Sequence, residues 1–254
     1  MTQNDVLFDK GNHKNILLKD FSSGMAVQAN QHLIVSGREG MILDPGGHKV
    51  YNKVLIETLS LLEGASLRYV FLSHQDPDII AAVNGWLMTT DAEAWISALW
   101  TRFVPHFGLD RLVEDRLKPI PDPGMRLRLG DTDLLLIPGH FLHSPGNFQV
   151  YDPVSKILYS GDLGASLGRA YRIVPDDKID EHLDSMQGFH ERYMAGGAAM
   201  QAWANMVRQL DIEMIAPQHG SVMQGKLQID RFITWCENLR CGVDLIADVY
   251  KLPA

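Results

Sequence analysis

Three side chains able to hold a metal stand at alternate positions in one short stretch: His74, Asp76 and Asp78 of Phe71-Leu72-Ser73-His74-Gln75-Asp76-Pro77-Asp78-Ile79-Ile80. Alternate residues of an extended segment share a face, so an imidazole and two carboxylates would converge there. Pro77 disfavours the helical region for Asp76 and keeps the segment extended. On this stretch alone, an aspartate capping the next helix is an equal reading, since Asp is a favoured N-cap. Three further loops carry the same residue types after apolar runs: His143 (with His140 nearby), Asp162 and His219. A single histidine after a strand is more often a satisfied polar residue. Four such loops in one chain, each beside Gly or Pro, have the composition of a dinuclear metal site.

The elements that must position these loops follow from periodicity. Residues 15–44 are strand-like, broken by Ser22-Ser23-Gly24 and Ser36-Gly37, with alternation over 27–35 and an apolar run over 40–43; two or three antiparallel strands are expected. Residues 50–62 have helical spacing and lead to an apolar strand over 67–72 that ends at His74. A helix is expected over 79–88, a short strand over 94–96 and a short helix over 99–107. Two hairpins follow, 127–129 with 134–137 and 148–151 with 157–159. The first feeds His143 and the second ends at Asp162. Residues 200–210 read as an amphipathic helix, 214–216 as a strand leading to His219, and 229–250 as a long closing helix. Strands thus fall into two groups, before Asp91 and between Leu127 and Asp162, each followed by helices. The expected fold is α/β, a four-layer αββα sandwich with two sheets face to face, in one domain over residues 1–254.

A length of 254 residues suits a single large domain, and 46% hydrophobic content supports a substantial core. The formal charge of −8, with no run of Lys and Arg, excludes a nucleic-acid surface. The start, Met1-Thr2-Gln3-Asn4-Asp5, lacks the regions of a signal peptide, and no apolar run reaches membrane-spanning length. The expectation is a cytoplasmic protein with no membrane partner. Cys236 and Cys241 fall on different faces of the expected last helix and read as thiols rather than a disulfide or metal pair. His190 reads as part of a surface helix, or as lining a pocket mouth.

The ordered set His74-x-Asp76-x-Asp78, His143, Asp162, His219 resembles the metallo-β-lactamase superfamily. Asn30-Gln31-His32-Leu33-Ile34 and Leu43-Asp44-Pro45-Gly46 resemble its opening strands, so the resemblance covers essentially the whole chain. Within it, Ser73-His74-Gln75-Asp76-Pro77-Asp78-Ile79, Leu142-His143-Ser144-Pro145-Gly146-Asn147 and Ala216-Pro217-Gln218-His219-Gly220 are most similar to the oxygen-binding diiron proteins. These are relatives of the diiron domain of flavodiiron proteins. The resemblance implies that His74, Asp76 and His143 hold one iron, that Asp78 and His219 hold the other, and that Asp162 bridges them. It also implies a bridging hydroxide or oxo group, with zinc or manganese as substitutes for iron.

Hydrolytic members usually carry histidine where Asp76 and Ile79 stand. Three carboxylates with three histidines suit iron or manganese better than zinc. Against two divalent ions they leave about one positive charge by formal counting. Ile79 would leave the second cation with open positions beside an apolar wall, which favours a small apolar diatomic. Pro138-Gly139-His140 resembles the Pro-Gly-His of thiolesterase-like relatives, so His140 is the rival to His143. The Ser-Pro-Gly after His143 fits the family loop better, and His140 is then expected in the pocket or behind the ligands.

The implied function is a non-haem diiron protein that binds dioxygen or nitric oxide, as a sensor or as the terminal part of a reductase. The chain shows no flavodoxin-like domain, hence no FMN, and no CxxC pair. A separate electron-transfer or signalling protein is therefore the expected partner, and a homodimer stays open. The rival class is a metal-dependent hydrolase of an ester, thioester or lactam that uses metal-bound hydroxide. A third reading leaves the metals as structural remnants. His74 and His219 are expected to donate their free ring nitrogens to a backbone carbonyl or a carboxylate.

Overall fold

Apolar β-formers between turn residues make thirteen strands among the described residues, and alternation along each decides which core a side chain enters. The computed structural model describes residues 3–248 and 250–252. Met1, Thr2, Pro253 and Ala254 of the expected domain, and Val249 of the expected last helix, lie outside the described residues.

The first sheet runs β1 (Asp5–Lys10), β2 (His13–Leu17), β3 (His32–Ser36), β4 (Glu39–Leu43), β5 (Ser66–Phe71), β6 (Glu93–Ser97), β7 (Leu117–Ile120) in that spatial order. It is antiparallel from β1 to β4 and parallel from β4 to β7. The parallel connections carry helices: α1 (Tyr51–Leu61) before β5, then α2 (Pro77–Ile80) and α3 (Val83–Thr89) before β6. The second sheet contains β8 (Met125–Leu129), β9 (Thr132–Pro138), β10 (Phe148–Asp152), β11 (Ile157–Gly161), β12 (Met214–Pro217) and β13 (Met223–Gln224), in the spatial order β13-β12-β11-β10-β9-β8. Its one parallel pair, β11 with β12, is connected through α4 (Ile179–Tyr193) and α5 (Gly197–Val207), and α6 (Lys226–Asn238) follows β13.

Three apolar clusters account for the layers. Leu17, Ile34, Met41, Phe71, Leu134, Phe148, Val150 and Tyr159 fill the space between the sheets. Leu33, Val54, Val70, Ile79 and Trp86 form a second core under α1, α2 and α3. Leu158, Met186, Trp203, Ile215 and Phe232 form a third under α4, α5 and α6. Neighbours on one strand enter different cores, as Leu33 and Ile34 do on β3. Buried on both faces, such strands read as continuous apolar runs rather than alternating ones. The result is the expected αββα order.

Several element boundaries differ from the sequence-based expectation. The alternation over 27–35 pairs as a strand only from His32, because Asn30 is occupied with the 217–220 loop: its N–H donates to the Gln218 carbonyl (2.5 Å). The helix expected over 79–88 is broken between Ile80 and Val83, and that over 99–107 shrinks to a 3-10 turn, Val104–Phe107. The first sheet extends past Asp91 by β6 and β7, and α4 was not expected as a full helix. The long closing helix ends at Asn238, which leaves Cys236 on α6 and Cys241 beyond it, both free and buried.

Candidate metal centre

β5 delivers its chain into the turn that carries His74, and a buried carboxylate holds that turn. Asp44 Oδ1 accepts the Ser73 N–H at 2.8 Å while the Asp44 N–H donates to the Phe71 carbonyl at 2.9 Å. Burial pushes the Asp44 carboxyl up to about 6, against the opposing pull of the Ser73 N–H and His74. Asp76 is extended (φ −67°, ψ 147°) and Pro77 opens α2, as the sequence predicts. Asp76 occupies the N-cap position, yet its side chain makes no capping bond. The capping reading therefore fails for Asp76, and its carboxylate turns to the histidines instead.

His143 sits in the loop between β9 and β10. Asn147, buried, holds that loop closed by donating Nδ2 to the carbonyls of Gly139 (3.1 Å) and Leu142 (2.7 Å). The Phe148 N–H donates to the Ser73 carbonyl at 2.9 Å, which ties this loop to the one bearing His74 across the two sheets. Asp162 and His219 follow the adjacent parallel strands β11 and β12 at the same end. Gly220 (φ +88°) is required after His219, since a Cβ there would strike the Ser166 carbonyl oxygen.

The six side chains converge. His74 Nε2 lies 3.6 Å from Asp76 Oδ2, 3.2 Å from His143 Nε2 and 3.9 Å from Asp162 Oδ1. His143 Nε2 lies 3.5 Å from Asp76 Oδ2 and 3.0 Å from Asp162 Oδ2. On the other side, His219 Nε2 is 3.4 Å from Asp78 Oδ2 and 3.7 Å from Asp162 Oδ1. Asp162 thus stands between a His74/Asp76/His143 group and an Asp78/His219 group. Ligand atoms about 2.1 Å from one cation, roughly 90–110° apart, lie about 3.0–3.4 Å from each other, close to the spacings seen here.

Electrostatics fit a cation at the same place. Burial opposes the charged form of Asp162, but His143, His74 and His219 outweigh it and pull the carboxyl down to about 2. Burial likewise opposes a charged His74, and Asp76, Asp162 and Asp44 overcome it, raising the imidazole to about 9. Hydrogen bonding to His74 leads in lowering Asp76. Asp162 Oδ1 is buried with no hydrogen-bond partner, an acceptor that fixed donors do not satisfy. A field that holds a proton on His74 would hold a divalent cation as well.

The remaining sequence candidates are placed differently. His140 turns away: its Nε2 pairs with the Asp122 carbonyl at 2.9 Å and its ring packs edge-on against Phe148. His143, and not His140, faces His74, Asp76 and Asp162. Ile79 is fully buried in the core under α2. His190 is on an outer-layer helix, as one of the two sequence readings has it, but on its buried inner face and not at a pocket mouth. Its Nε2 accepts the Gly164 N–H (2.9 Å) and its Nδ1 bonds the Met186 carbonyl (2.8 Å), so it holds the turn just after Asp162 from behind. Burial lowers it to about 4, which keeps the ring neutral. His219 Nδ1 meets the Gln28 carbonyl at 2.6 Å, as expected, whereas the partner of His74 Nδ1 is the Ser73 hydroxyl at 2.9 Å.

Sequence reasoning missed Asp44, Gln28, Asn30, Gln75 and Gln218, of which Gln75 and Gln218 reach the outer carboxylates. Gln75 and Gln218 had a signal in position, since each directly adjoins a candidate ligand in sequence. Asp44, Gln28 and Asn30 had none, since they reach the Ser73 and 217–220 segments only through the fold. A cavity of about 1010 Å³, walled by Phe141, Tyr193 and Ile246 among others, opens on His143, whose ring Tyr193 meets edge-on at 5.7 Å.

The profile of the ODP family beta lactamase matches residues 27–220. The chain belongs to that family. A solved structure of the peroxy diiron species of chemotaxis sensor ODP is 38% identical to this ODP-family chain, with a TM-score of 0.86, covering 98% of it and 100% of its own chain. The flavodiiron core of Flv1 from Synechocystis sp. PCC6803, 17% identical with a TM-score of 0.74 over 92% of this chain and 61% of its own, shares the metallo-β-lactamase-like fold. An uncharacterized protein of Methanocaldococcus jannaschii is 22% identical over 210 residues, 81% of this chain and 52% of its own length. The chain spans about half or less of the length of the curated relatives it matches. Among the described residues no helix is long and apolar enough to cross a membrane.

Proposed function

We propose that this ODP-family protein is a non-haem diiron protein that binds dioxygen, with nitric oxide as a second diatomic ligand, and that it works as a cytoplasmic sensor. His74, Asp76 and His143 would hold one iron, Asp78 and His219 the other, with Asp162 shared. The observation that carries the reading is the position of Asp162, whose buried, unpartnered oxygen lies between two groups of imidazole and carboxylate. A pair of ferrous ions would supply the electrons that let dioxygen bind. The protein's own part is to fix three imidazoles and three carboxylates, a set hard enough to favour iron over zinc. Asn147 and Gly220 hold the loops, and His190 holds the backbone behind Asp162. Buried Ile79, in place of a seventh ligand, would keep a coordination position of the second ion free.

The likeness to a chemotaxis sensor over nearly the whole chain favours the sensor over the reductase, and supports a signalling protein as partner. A reductase role would need a separate electron donor. The hydrolase is disfavoured by the carboxylate at Asp76 and the missing histidine at Ile79. Two free, buried cysteines are in keeping with a reducing compartment. Metal analysis of the purified chain should find about two irons per chain, as a dinuclear site requires. After anaerobic reduction, air should produce a visible absorption band. Zinc-only protein that hydrolyses a thioester or lactam would overturn the proposal.

A further inference from the structure

Each outer carboxylate of the centre is met by the amide of one glutamine, and the two arrangements are unequal. Gln75 Nε2 donates to Asp76 Oδ1 at 3.0 Å, which leaves Asp76 Oδ2 as the oxygen facing His74 and His143. At its other end, Gln75 Oε1 accepts the Ser144 hydroxyl at 2.6 Å, beside His143. One amide therefore ties together both loops of the first group.

Gln218 Nε2 donates at 3.1 Å to Asp78 Oδ2, the same oxygen that faces His219. Its Oε1 is buried without a partner, although the residue is only 2% exposed. The Gln218 backbone is held at both ends: its N–H donates to the Gly161 carbonyl (2.7 Å) and its carbonyl accepts the Asn30 N–H (2.5 Å). The side chain is thus aimed at Asp78 by the main chain, and one hydrogen bond orients the second carboxylate where two amide bonds support the first group.

We propose that Gln75 and Gln218 are positioning residues, one for each half of the centre, and that their unequal hydrogen bonding adds to the smaller ligand set in making the Asp78/His219 half the weaker cation site. The proposal rests on the reading that both halves take a cation, and not on which gas or substrate the cations serve. Groups that orient metal ligands typically contribute 10- to 100-fold in metal affinity, and an effect of about that size is expected here.

The test is an anaerobic titration of the full metal-free chain with Co²⁺, followed by calorimetry, with anomalous scattering from Co²⁺-soaked crystals to locate each ion. Wild type should take up two ions, the tighter one beside His74 and His143. In Gln218→Ala the ion beside His219 should bind about 10- to 100-fold more weakly, with the other within about twofold. Gln75→Ala should weaken the ion beside His74 instead. Gln218→Met, which keeps the bulk and removes the amide, should reproduce Gln218→Ala and guards against a folding defect. Unchanged titrations in both alanine variants, an equal loss at both positions, or a tighter ion beside His219 in wild type would each overturn the proposal. Fewer than two ions in wild type would instead bring down the two-cation reading on which it stands.

Discussion

Asp152 and Asp162 sit at the two ends of one hairpin, β10–β11, and both are buried, yet their surroundings are opposite. Asp152 Oδ2 receives His13 Nε2 at 2.7 Å, Asn15 Nδ2 at 2.8 Å and the Ser155 hydroxyl at 2.7 Å, and its Oδ1 accepts the Val154 N–H at 3.0 Å. Asp162 has the His143 imidazole at 3.0 Å on Oδ2, and its Oδ1 has no hydrogen-bond partner. Burial opposes ionisation at both, and in both the neighbours win, lowering the carboxyl below its ordinary value. At Asp152 the winners include fixed donors of the fold. At Asp162 they are three imidazoles whose charge is exchangeable. A buried carboxylate saturated by donors holds sheets together; one left open among imidazoles is suited to a cation.

The sharpest break of this comparison is Asp162→Ala. One carboxylate would serve two cations, so both should be lost together, read as metal per chain after purification. One ion remaining at full occupancy would mean that Asp162 is not shared. Asp152→Ala should do the reverse. Both ions should stay, while breaking the buried pair with His13 costs about 3–5 kcal/mol, read by urea unfolding of the metal-free protein. A loss of metal in that variant would erase the distinction between the two regions.

The same contrast shows what was legible in the sequence. The candidate cation-site residues announce themselves because each loop carries its histidine or aspartate at a strand end beside Gly or Pro. That pattern is readable within each loop, although the loops of Asp78 and His219 are as distant in the chain as His13 is from Asp152. His13 and Asn15 offered no such pattern, since their partner Asp152 meets them only when the second sheet packs on the first. The burial of His190 was hidden for a similar reason: which face of α4 is covered is decided by what packs on it, here the turn at Gly164. The layers were legible because continuous apolar runs mark strands buried on both faces. The break in the helix after Ile80 was not, because neither proline nor glycine stands at Ala81 or Ala82. The early end of α6 at Asn238 had a signal in Gly242 (φ +50°), which the expected helix over 229–250 ran through.

Acid should separate the two regions next. Burial, outweighing its bond to the Pro217 carbonyl, lowers His32 to about 3, and burial lowers His190 to about 4. Both rings are neutral in the fold but take a proton near pH 6.5 when unfolded. Their contribution to stability is complete above pH 6.5 and is lost as pH falls from there toward 4, at up to about 1.4 kcal/mol per pH unit for each ring. His74 has the opposite sign in metal-free protein: raised to about 9, it contributes fully below pH 6.5 and its share disappears as pH rises through 9. His190→Gln, which retains a donor and an acceptor, should flatten the acid limb of a stability–pH curve and leave the alkaline limb unchanged. An unaltered acid limb would mean that His190 is not held neutral.

The smallest expected effect is at His140, and it tests whether sequence nearness to His143 has any chemical meaning. Its ring bonds the Asp122 carbonyl and packs on Phe148, neither of them a candidate ligand. His140→Ala therefore removes one partly exposed hydrogen bond, a loss of about 1 kcal/mol, and should leave two ions in place. His143→Ala takes away an imidazole that lies within 3.5 Å of Asp76, His74 and Asp162 and should lower the metal content. Because both residues share one loop, a general loosening of that loop would affect both variants alike. A metal deficit in His143→Ala alone separates ligand loss from loop disorder, whereas a deficit in His140→Ala would place the loop's chemistry on the wrong histidine.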